Sequence, residues 1–348
     1  MAPPPLLLQT TYAELLERCR ATAFLTDFPR DGTFVAKTVR GKRYWYFQRP
    51  KSAGRDQKYV GPETPELLDQ IARHKQIRDD ERERRSLVSI LVRSFGLQPP
   101  ATEIGEIIAA LANAGVFRLR GVLVGTIAYQ TYSAMLGTRL PRSMMQTHDI
   151  DIAQFGNVSV AVADRTAPIV DVLKQADKSF RAVPHIHRRK ATSYIGKGGI
   201  RVDFLTPNQG RDTDIPRPLP AFQTDAEPLR FLDFLIVNPE PAAILHGMGI
   251  YVLVPSPARY AVHKLILSGR RPEGAAKRQK DIDQAASLLT VLVQKSPYEL
   301  KSVWREASAR GKAWRQLLLA GLSQLPAPTR DITVKAVNEK PDVVSVID

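Results

Sequence analysis

Two acidic residues, Asp149 and Asp151, alternate with isoleucines in the stretch HDIDIA at residues 148–153. Alternation of polar and apolar residues predicts a β-strand, on which both carboxylates project side by side from one face. Like charges held so close repel one another, and a fold rarely keeps them without a counter-ion. We therefore expect a cation between the two carboxylates.

A strand, a Gly-Thr step and a helix precede these acids in GVLVGTIAYQTYSAMLG, residues 121–137. Gly125 allows a close turn, and Thr126 stands where the helix begins. The N-terminus of a helix offers unpaired N–H groups and the positive end of the helix dipole, which suits a phosphate group. Gly125 and Thr126 are therefore candidate nucleotide-binding residues, although many ordinary turns share this pattern.

A third acidic residue, Asp203, lies between apolar residues in RVDFL, a further predicted strand. If the two strands are neighbours, the three carboxylates converge on one face beside the Gly-Thr turn. Mg²⁺ takes hard oxygen ligands, typically a few carboxylates together with substrate phosphates. Asp149, Asp151 and Asp203 are therefore candidate metal ligands and catalytic residues for Mg²⁺ or Mn²⁺. The alternative is structural, because an Asp-x-Asp pair can also bind arginine or protect the edge of a sheet.

Helices and strands alternate over residues 100–210, which indicates a sheet domain flanked by helices. Pro99-Pro100 marks a boundary before it. The segments FLDFLIV and YVLVP, residues 231–237 and 251–255, predict two further strands, and helices are predicted after them. We predict an N-terminal helical and β-hairpin extension at 1–98, a catalytic core at 99–210, a strand and helical region at 211–325, and a disordered tail at 326–348.

The extension contains a basic hairpin in which aromatic and positively charged side chains are mixed. Eight Lys and Arg residues lie between Lys37 and Lys58, against one acid, Asp56. Such surfaces suit nucleic acid, because the charges meet phosphates and the rings stack on bases. The candidate nucleic-acid-binding residues are Lys42, Arg43, Tyr44, Tyr46, Arg49 and Lys51. The alternative is a solvated hairpin whose aromatic side chains pack inward.

The composition limits the class of protein. The net charge of +15 over 348 residues favours polyanionic partners. A single cysteine, Cys19, excludes a disulfide framework and a cysteine-based zinc site. No segment approaches the roughly 18 apolar residues that a membrane span needs. We expect a cytoplasmic protein with no membrane contact.

In order along the chain, VGT, HDIDIA and VDFLTP resemble the signature of the DNA-polymerase-β-like nucleotidyltransferase superfamily: Gly-Ser or Gly-Gly, then Asp-x-Asp or Asp-x-Glu, then an aspartate on a later strand. The chain is most similar to a set of uncharacterised bacterial nucleotidyltransferase-fold proteins with Gly-Thr at the turn. Those proteins also carry Thr-x-Asp-Ile-Asp, a His-Lys pair after proline, and Lys-x-x-x-Asp-x-x-Gln-Ala. The matching segments here are residues 147–151, 257–264 and 277–285.

The resemblance covers roughly residues 100–295 and implies an α+β nucleotidyltransferase fold, a mixed β-sheet flanked by helices. It implies that Asp149 and Asp151 bind the metals and that Asp203 holds the catalytic metal and helps to deprotonate the acceptor hydroxyl. Lys264 and Asp281 resemble later motifs of abortive-infection nucleotidyltransferase toxins, which makes them candidate nucleotide-binding residues. Lys264 could instead extend to solvent, and Asp281 could pair with a nearby lysine. The long gap around TRLPRSMMQT, residues 138–147, departs from the superfamily pattern and predicts an inserted loop.

The implied reaction moves a nucleoside monophosphate from an NTP, such as ATP, to a hydroxyl acceptor and releases pyrophosphate. The positive charge and the hairpin favour RNA as the acceptor, with a tRNA end as one candidate by analogy with the toxin relatives. The toxin analogy also leaves room for a protein partner such as an antitoxin. Two alternatives stay open: a catalytically inactive module that binds nucleic acid, and an antibiotic-type enzyme with a small hydroxylated acceptor.

Overall fold

The protein has an α+β fold in which a mixed sheet is flanked by helices. The computed structural model describes residues 6–28, 32–39, 41–48, 57–73, 81–161, 164–184, 191–208, 210–272 and 275–338. They belong to two compact units. The first comprises the described parts of Met1–Arg139 and Met145–Pro255, and the second those of Leu140–Met144 and Ser256–Asp348.

The first unit holds all the described strands together with helices. Its described helices are α1 (Leu6–Asp27), α2 (Pro65–Arg73), α3 (Glu81–Ser89), α4 (Thr102–Asn113), α5 (Gly125–Met135), α6 (Gly156–Ala161), α7 (Ile169–Ala176) and α8 (Leu232–Ile236). Its described strands are β1 (Thr33–Val39), β2 (Lys42–Gln48), β3 (Gln57–Pro62), β4 (Val122–Val124), β5 (Asp149–Ala153), β6 (Arg181–Ala182), β7 (Ser193–Ile195), β8 (Arg201–Pro207), β9 (Arg217–Leu219), β10 (Thr224–Leu229), β11 (Glu240–Ile244) and β12 (Ile250–Val254).

The central sheet has the order β4-β5-β8-β10-β9, and β7 pairs with β8 and with β6. Strand β5 is antiparallel to β4 and parallel to β8, and β8 is in turn parallel to β10. On the sheet, Ile150 and Ile152 of β5 and Val202 and Phe204 of β8 are all buried. The apolar residues of both strands therefore face the core, while the alternate positions, which carry the acids, lie on the opposite face.

Helix α1 is part of the core of the first unit. Its apolar face buries Leu8, Tyr12, Leu15 and Cys19 against a cluster that includes Leu91. The Tyr12 hydroxyl accepts a hydrogen bond of 3.1 Å from the backbone N–H of Ala243 in β11. The segment TYAELLERCRATAFL, residues 11–25, predicts a helix by its apolar spacing, and α1 confirms it within the same compact unit as the central sheet.

The second unit consists of helices among its described residues. They are α9 (Pro257–Arg270), α10 (Ala276–Lys295), α11 (Pro297–Ala309), α12 (Lys312–Ser323) and α13 (Ala327–Asn338). Helices α9 and α12 approach closely where each carries a glycine: a Cβ on Gly269 would lie 2.2 Å from the Leu317 carbonyl oxygen, and one on Gly321 would lie 2.1 Å from that of Leu265.

Some sequence predictions differ from the structure. The segment 231–237, predicted as a strand, contains helix α8, which begins after Phe231 in a left-handed conformation (φ 65°). The segment 300–322, predicted as one helix, is broken at Gly311 (φ 120°) into α11 and α12. The tail predicted to be disordered from residue 326 contains α13, because Thr333 and Val337 are buried in the helical unit.

The predicted boundaries near residues 98 and 210 stay predictions, since one compact unit can hold more than one domain. Among the described residues, no helix is both long and apolar enough to cross a membrane.

Candidate active site

The two strands that carry the three carboxylates are neighbours in the sheet. In the parallel pairing of β5 with β8, Asp151 lies opposite Asp203, and Asp149 lies opposite Arg201. Positions opposite each other on paired strands share a face. The structure therefore brings Asp149, Asp151 and Asp203 together, with Arg201 among them.

Gly125 lies directly against the carboxylate of Asp151. It follows β4, whose last residue, Val124, pairs with Asp151, and its φ of 68° is in the left-handed region. A Cβ on Gly125 would lie 2.2 Å from Asp151 Oδ2. The position therefore needs glycine twice, once for the backbone conformation and once for the approach of the acid.

Helix α5 starts at this glycine, so its first turn lies beside the carboxylates. Val124, at the N-cap position, has no side-chain oxygen to bind the first N–H groups. Thr126 is half-buried in the first turn. The helix N-terminus, the Thr126 hydroxyl and the acids thus lie at one edge of the sheet, where the dipole favours an anion.

Arg201 places a positive charge beside the acids. Its Nε donates hydrogen bonds to Asp203 Oδ1 at 2.9 Å and to the Ser193 hydroxyl at 2.7 Å. The hydrogen bond to Asp203 raises the pKa of the Arg201 guanidinium, and the charge of Asp149 acts in the same direction. Sequence reasoning missed Arg201, although its position two residues before Asp203 on a strand indicates the same face.

Thr147 positions the start of β5. The backbone N–H of Asp149 donates to the Thr147 hydroxyl at 3.0 Å, a local turn that begins the strand at the first acid. The preceding segment, predicted as an inserted loop at 138–147, contributes Leu140–Met144 to the second unit. There the Gln284 side-chain amide donates to the Met144 carbonyl at 3.0 Å.

The carboxylates suit Mg²⁺ or Mn²⁺ in kind, because all three offer hard oxygen atoms from rigid strands. Within the described ranges, however, no three His, Cys, Asp or Glu side chains are arranged so that they could hold a metal ion. The Arg201 guanidinium occupies one oxygen of Asp203. A metal that uses all three acids would have to displace this guanidinium.

Lys264 and Asp281 contact each other in the second unit. Lys264 Nζ lies 2.6 Å from Asp281 Oδ1, and Arg271 Nη1 lies 2.5 Å from Asp281 Oδ2. Asp281 is buried. His263, which precedes Lys264 in the chain, is buried too, and its burial lowers the pKa of its imidazole to about 3, so the ring is neutral. The partners of Asp281 are thus Lys264 and Arg271, which are distant from it in sequence, and the Lys264–Asp281 pair links α9 to α10.

The basic hairpin is confirmed as β2 paired with β3, with β1 as a third strand. Tyr44 and Tyr46 alternate with Trp45 and Phe47, and Phe47 is fully buried in a cluster with Phe28. The aromatic side chains therefore divide between two faces: Trp45 and Phe47 pack inward, and the tyrosines lie on the other face.

Charges on the hairpin divide in the same way. Lys42 shares the face of Tyr44 and Tyr46, and Lys37 Nζ lies 4.7 Å from the centre of the Tyr46 ring. Arg43 alternates to the other face, where its Nε lies 3.4 Å from Glu63 Oε2. The predicted residues Arg49 and Lys51 lie outside the described residues.

We predict that Gly125→Ala destabilises the protein more than Gly198→Ala. Both glycines have a left-handed φ, 68° and 70°, but nothing lies within 4 Å of a Cβ on Gly198. Gly198→Ala should cost about 1 kcal/mol for the backbone alone. Gly125→Ala should cost about 1–3 kcal/mol more, because its Cβ must displace the Asp151 carboxylate. Equal losses in urea unfolding would contradict the close approach.

We predict that Arg201→Gln binds Mn²⁺ more tightly than the parent protein. Removing the guanidinium frees Asp203 and removes a positive charge from the acids, which should lower the metal Kd about tenfold in titration calorimetry. Arg181→Gln, an exposed position on β6, is the matched control and should leave the Kd unchanged. Weaker metal binding by Arg201→Gln would show that the arginine supports the site instead of competing for it.

Similarity to known proteins is concentrated in the region that carries the acids. A family model described as Nucleotidyltransferase matches residues 102–309, and one described as a domain of unknown function (DUF6788) matches residues 7–70. No curated protein matches the chain. Among solved structures, an antigenic nucleotidyltransferase-like protein from Paracoccidioides brasiliensis is 14% identical over 64% of this chain and 95% of that one, with a TM-score of 0.30. Because the first family model spans more than half of the 348 residues, the chain belongs to this nucleotidyltransferase family.

Proposed function

We propose that the protein transfers a nucleoside monophosphate from an NTP to a hydroxyl group of RNA in the presence of Mg²⁺ or Mn²⁺. The observation that carries the proposal is the pairing of Asp151 with Asp203 on adjacent parallel strands, with Gly125 and the N-terminus of α5 against them. Family membership supports nucleotidyl transfer in general. The metal and the acceptor are the proposed parts.

In this proposal, different side chains and backbone groups of the protein bind the phosphates, hold the metal and accept the proton. The first turn of α5 and the Thr126 hydroxyl bind phosphate oxygens of the NTP. Asp149, Asp151 and Asp203 hold the metal, which when bound neutralises the phosphates. The acceptor oxygen forms a bond to the α-phosphorus, its proton passes to an oxygen of Asp203, and the bond to the β-phosphate oxygen breaks to release pyrophosphate.

Positive side chains would bind the triphosphate once the acids turn to the metal. Arg201 is released from Asp203 in this scheme and becomes available to phosphate oxygens. Lys264 and Asp281 stay proposed nucleotide-binding residues. In this scheme Lys264 binds the triphosphate, and Asp281 holds the Lys264 ammonium group until the triphosphate replaces it. Competition of this kind links nucleotide binding to the contact between α9 and α10.

RNA is the proposed acceptor because of charge and of the tyrosine face on the hairpin. The chain has an excess of 15 positive charges, and Tyr44 and Tyr46 are half-buried rings beside Lys37 and Lys42. Rings next to lysines suit single-stranded bases and their phosphates. A tRNA end, a toxin-like role in bacteria and an antitoxin partner are narrower forms of the same proposal.

One observation favours a second candidate, a core that binds nucleic acid without catalysis. The Arg201–Asp203 ion pair neutralises the acid that catalysis needs, and the acids are not preassembled around a metal site within the described residues. In this candidate the ion pair is permanent, and neither NTP nor metal displaces it.

We predict that the protein transfers label from an α-³²P NTP to total RNA with Mg²⁺. Each of the four NTPs is tested separately, and EDTA should abolish the product. Asp149→Asn/Asp151→Asn should reduce the rate at least about a hundredfold, because these acids would hold the metal that neutralises the transferred phosphate. Asp171→Asn, at an exposed position on α7, is the matched control and should retain activity.

The other outcomes of this assay separate the alternatives. Label on a small hydroxylated compound but never on RNA would replace RNA with an antibiotic-type acceptor. Salt-dependent RNA binding that persists in the double variant, with no Mg²⁺-dependent NTP binding in the parent protein, would establish the inactive core.

We predict that Tyr44→Ala raises the Kd for single-stranded RNA about tenfold, because a base loses its stacking partner. Arg43→Ala is the control on the opposite face and should change the Kd less than about twofold, since Glu63 already pairs with this arginine. Fluorescence anisotropy at fixed salt measures both. Equal effects, or none for Tyr44→Ala, would remove the tyrosine face from the acceptor site.

A further inference from the structure

A large cavity in the first unit lies apart from the carboxylates. Its volume is about 550 Å³, and it is bounded by residues of α1, β3, α2, α3, α4 and β12. None of Gly125, Asp149, Asp151 or Asp203 lines it. Its volume is in the range of sites that hold small organic ligands.

The charge of the cavity wall is strongly positive. Five arginines line it, Arg20, Arg84, Arg85, Arg118 and Arg120, against one carboxylate, Glu106. Glu106 is directed to His246, whose Nε2 lies 3.0 Å from its Oε1. The wall therefore suits an anion.

Three of the arginines already have acidic partners. Arg118 Nη1 lies 2.7 Å from Asp164 Oδ2, Arg85 binds Glu81, and Arg20 lies 4.0 Å from Glu17. These ion pairs reduce their contribution to an anion site. The cavity's capacity for a ligand then rests on the two other arginines, Arg84 and Arg120.

Arg84 is a buried arginine in the cavity wall. Only 3% of it is exposed, and its Nε has no hydrogen-bond partner among the described residues. Cys19 also lines the cavity, and burial raises the pKa of its thiol to about 11. The positive charge of Arg84 acts in the opposite direction on this pKa. A guanidinium group this deeply buried is costly unless an anion accepts its hydrogen bonds.

Arg120 adds a second positive charge at the same wall. It is exposed and has a left-handed φ of 69°, an unusual conformation for arginine. Arg120 lines the cavity together with Tyr251, and its charge lowers the pKa of this tyrosine against the effect of burial. Between the charges, Phe117, Ile250 and Leu253 supply apolar wall.

We propose that this cavity binds a small phosphorylated organic molecule, with its phosphate on Arg84 and Arg120 and its carbon skeleton against Phe117, Ile250 and Leu253. Planar guanidinium groups match the oxygen spacing of a phosphate and bind it in pairs. The apolar wall favours an organic phosphate over free phosphate. The size of the cavity suits a nucleoside or sugar phosphate.

The cavity is a second site, independent of the carboxylates. Arg118 and Arg120 precede β4 and Gly125 follows it, and the cavity shares no lining residue with the carboxylate site. No acid cluster lines the cavity, so binding there needs no metal. The wall joins residues of the segment 7–70 to residues of the nucleotidyltransferase match, so that a ligand contacts both.

The test is titration calorimetry of the full-length protein in EDTA with inorganic phosphate, adenosine 5′-monophosphate and glucose 6-phosphate. We expect an organic phosphate to bind with a Kd below about 1 mM and free phosphate about tenfold more weakly. Arg84→Met should weaken the organic ligand at least about tenfold. Arg82→Met, an exposed position on the same helix, should leave the Kd within about twofold.

A second variant guards against misfolding of Arg84→Met. Arg120→Asn removes an exposed charge and suits the left-handed backbone, and it should weaken binding at least about threefold. Asp149→Asn/Asp151→Asn should bind normally, which separates this site from the proposed catalytic one. Absence of binding by all three probes, equal losses in Arg82→Met and Arg84→Met, tighter binding of free phosphate, or loss of binding in the aspartate variant would each overturn the proposal.

Discussion

Three carboxylates on one face of a sheet repel one another, and the arrangement of this protein depends on the charge that offsets the repulsion. In the structure that charge is the guanidinium of Arg201, which contacts Asp203 and lies opposite Asp149 in the strand pairing. The arginine and the acids are fixed by one register, because β5 and β8 pair in parallel. A shift by one residue would move the acids to the core face and the isoleucines to solvent.

The same register makes Gly125 necessary. Because Val124 pairs with Asp151, the residue after β4 must pass the Asp151 carboxylate, and only a residue without a Cβ can do so. The turn that this glycine makes also starts α5, which aims its positive end at the acids. The register of β4, β5 and β8 is therefore the single constraint. It fixes the repulsion between the acids, the need for Gly125 and the position of the α5 N-terminus.

Much of this arrangement could be predicted from the sequence because its signals are local. The alternation in HDIDIA and RVDFL gives two strands, and Gly-Thr gives the turn. Arg201 was within reach of the same reasoning, since it alternates with Asp203. Whether the Arg201 side chain pairs with an acid or extends to solvent, however, depends on the charges of the neighbouring strand β5, which local spacing does not give.

Other parts were out of reach because tertiary contacts determine them. The segment VFRLRGVLV, residues 116–124, predicts one long strand that turns at Gly125, but Gly115 and Arg120 adopt left-handed conformations and leave only Val122–Val124 in the sheet. Helix α13 lacks a clear apolar period, yet Thr333 and Val337 are buried by neighbouring helices. Residues distant in sequence bury these side chains, so the local hydrophobic periodicity does not reveal the burial.

In the described chain, the cations nearest the predicted site motifs are held by acids of the protein. Arg201 binds Asp203, and Lys264 and Arg271 bind the buried Asp281. Internal pairing keeps these charges from repelling within a chain that is already strongly positive. In the first unit, a nucleotide would compete with Asp203 for Arg201, and a metal would compete with Arg201 for Asp203. If nucleotide and metal bind together, the number of ion pairs stays the same. A phosphate then pairs with the protein cation, and the metal pairs with the protein carboxylate. If only one of the two ligands binds, one charged side chain of the ion pair loses its partner while it is partly buried, which costs free energy. In the proposed reaction, nucleotide and metal are therefore expected to bind together at the Arg201–Asp203 pair.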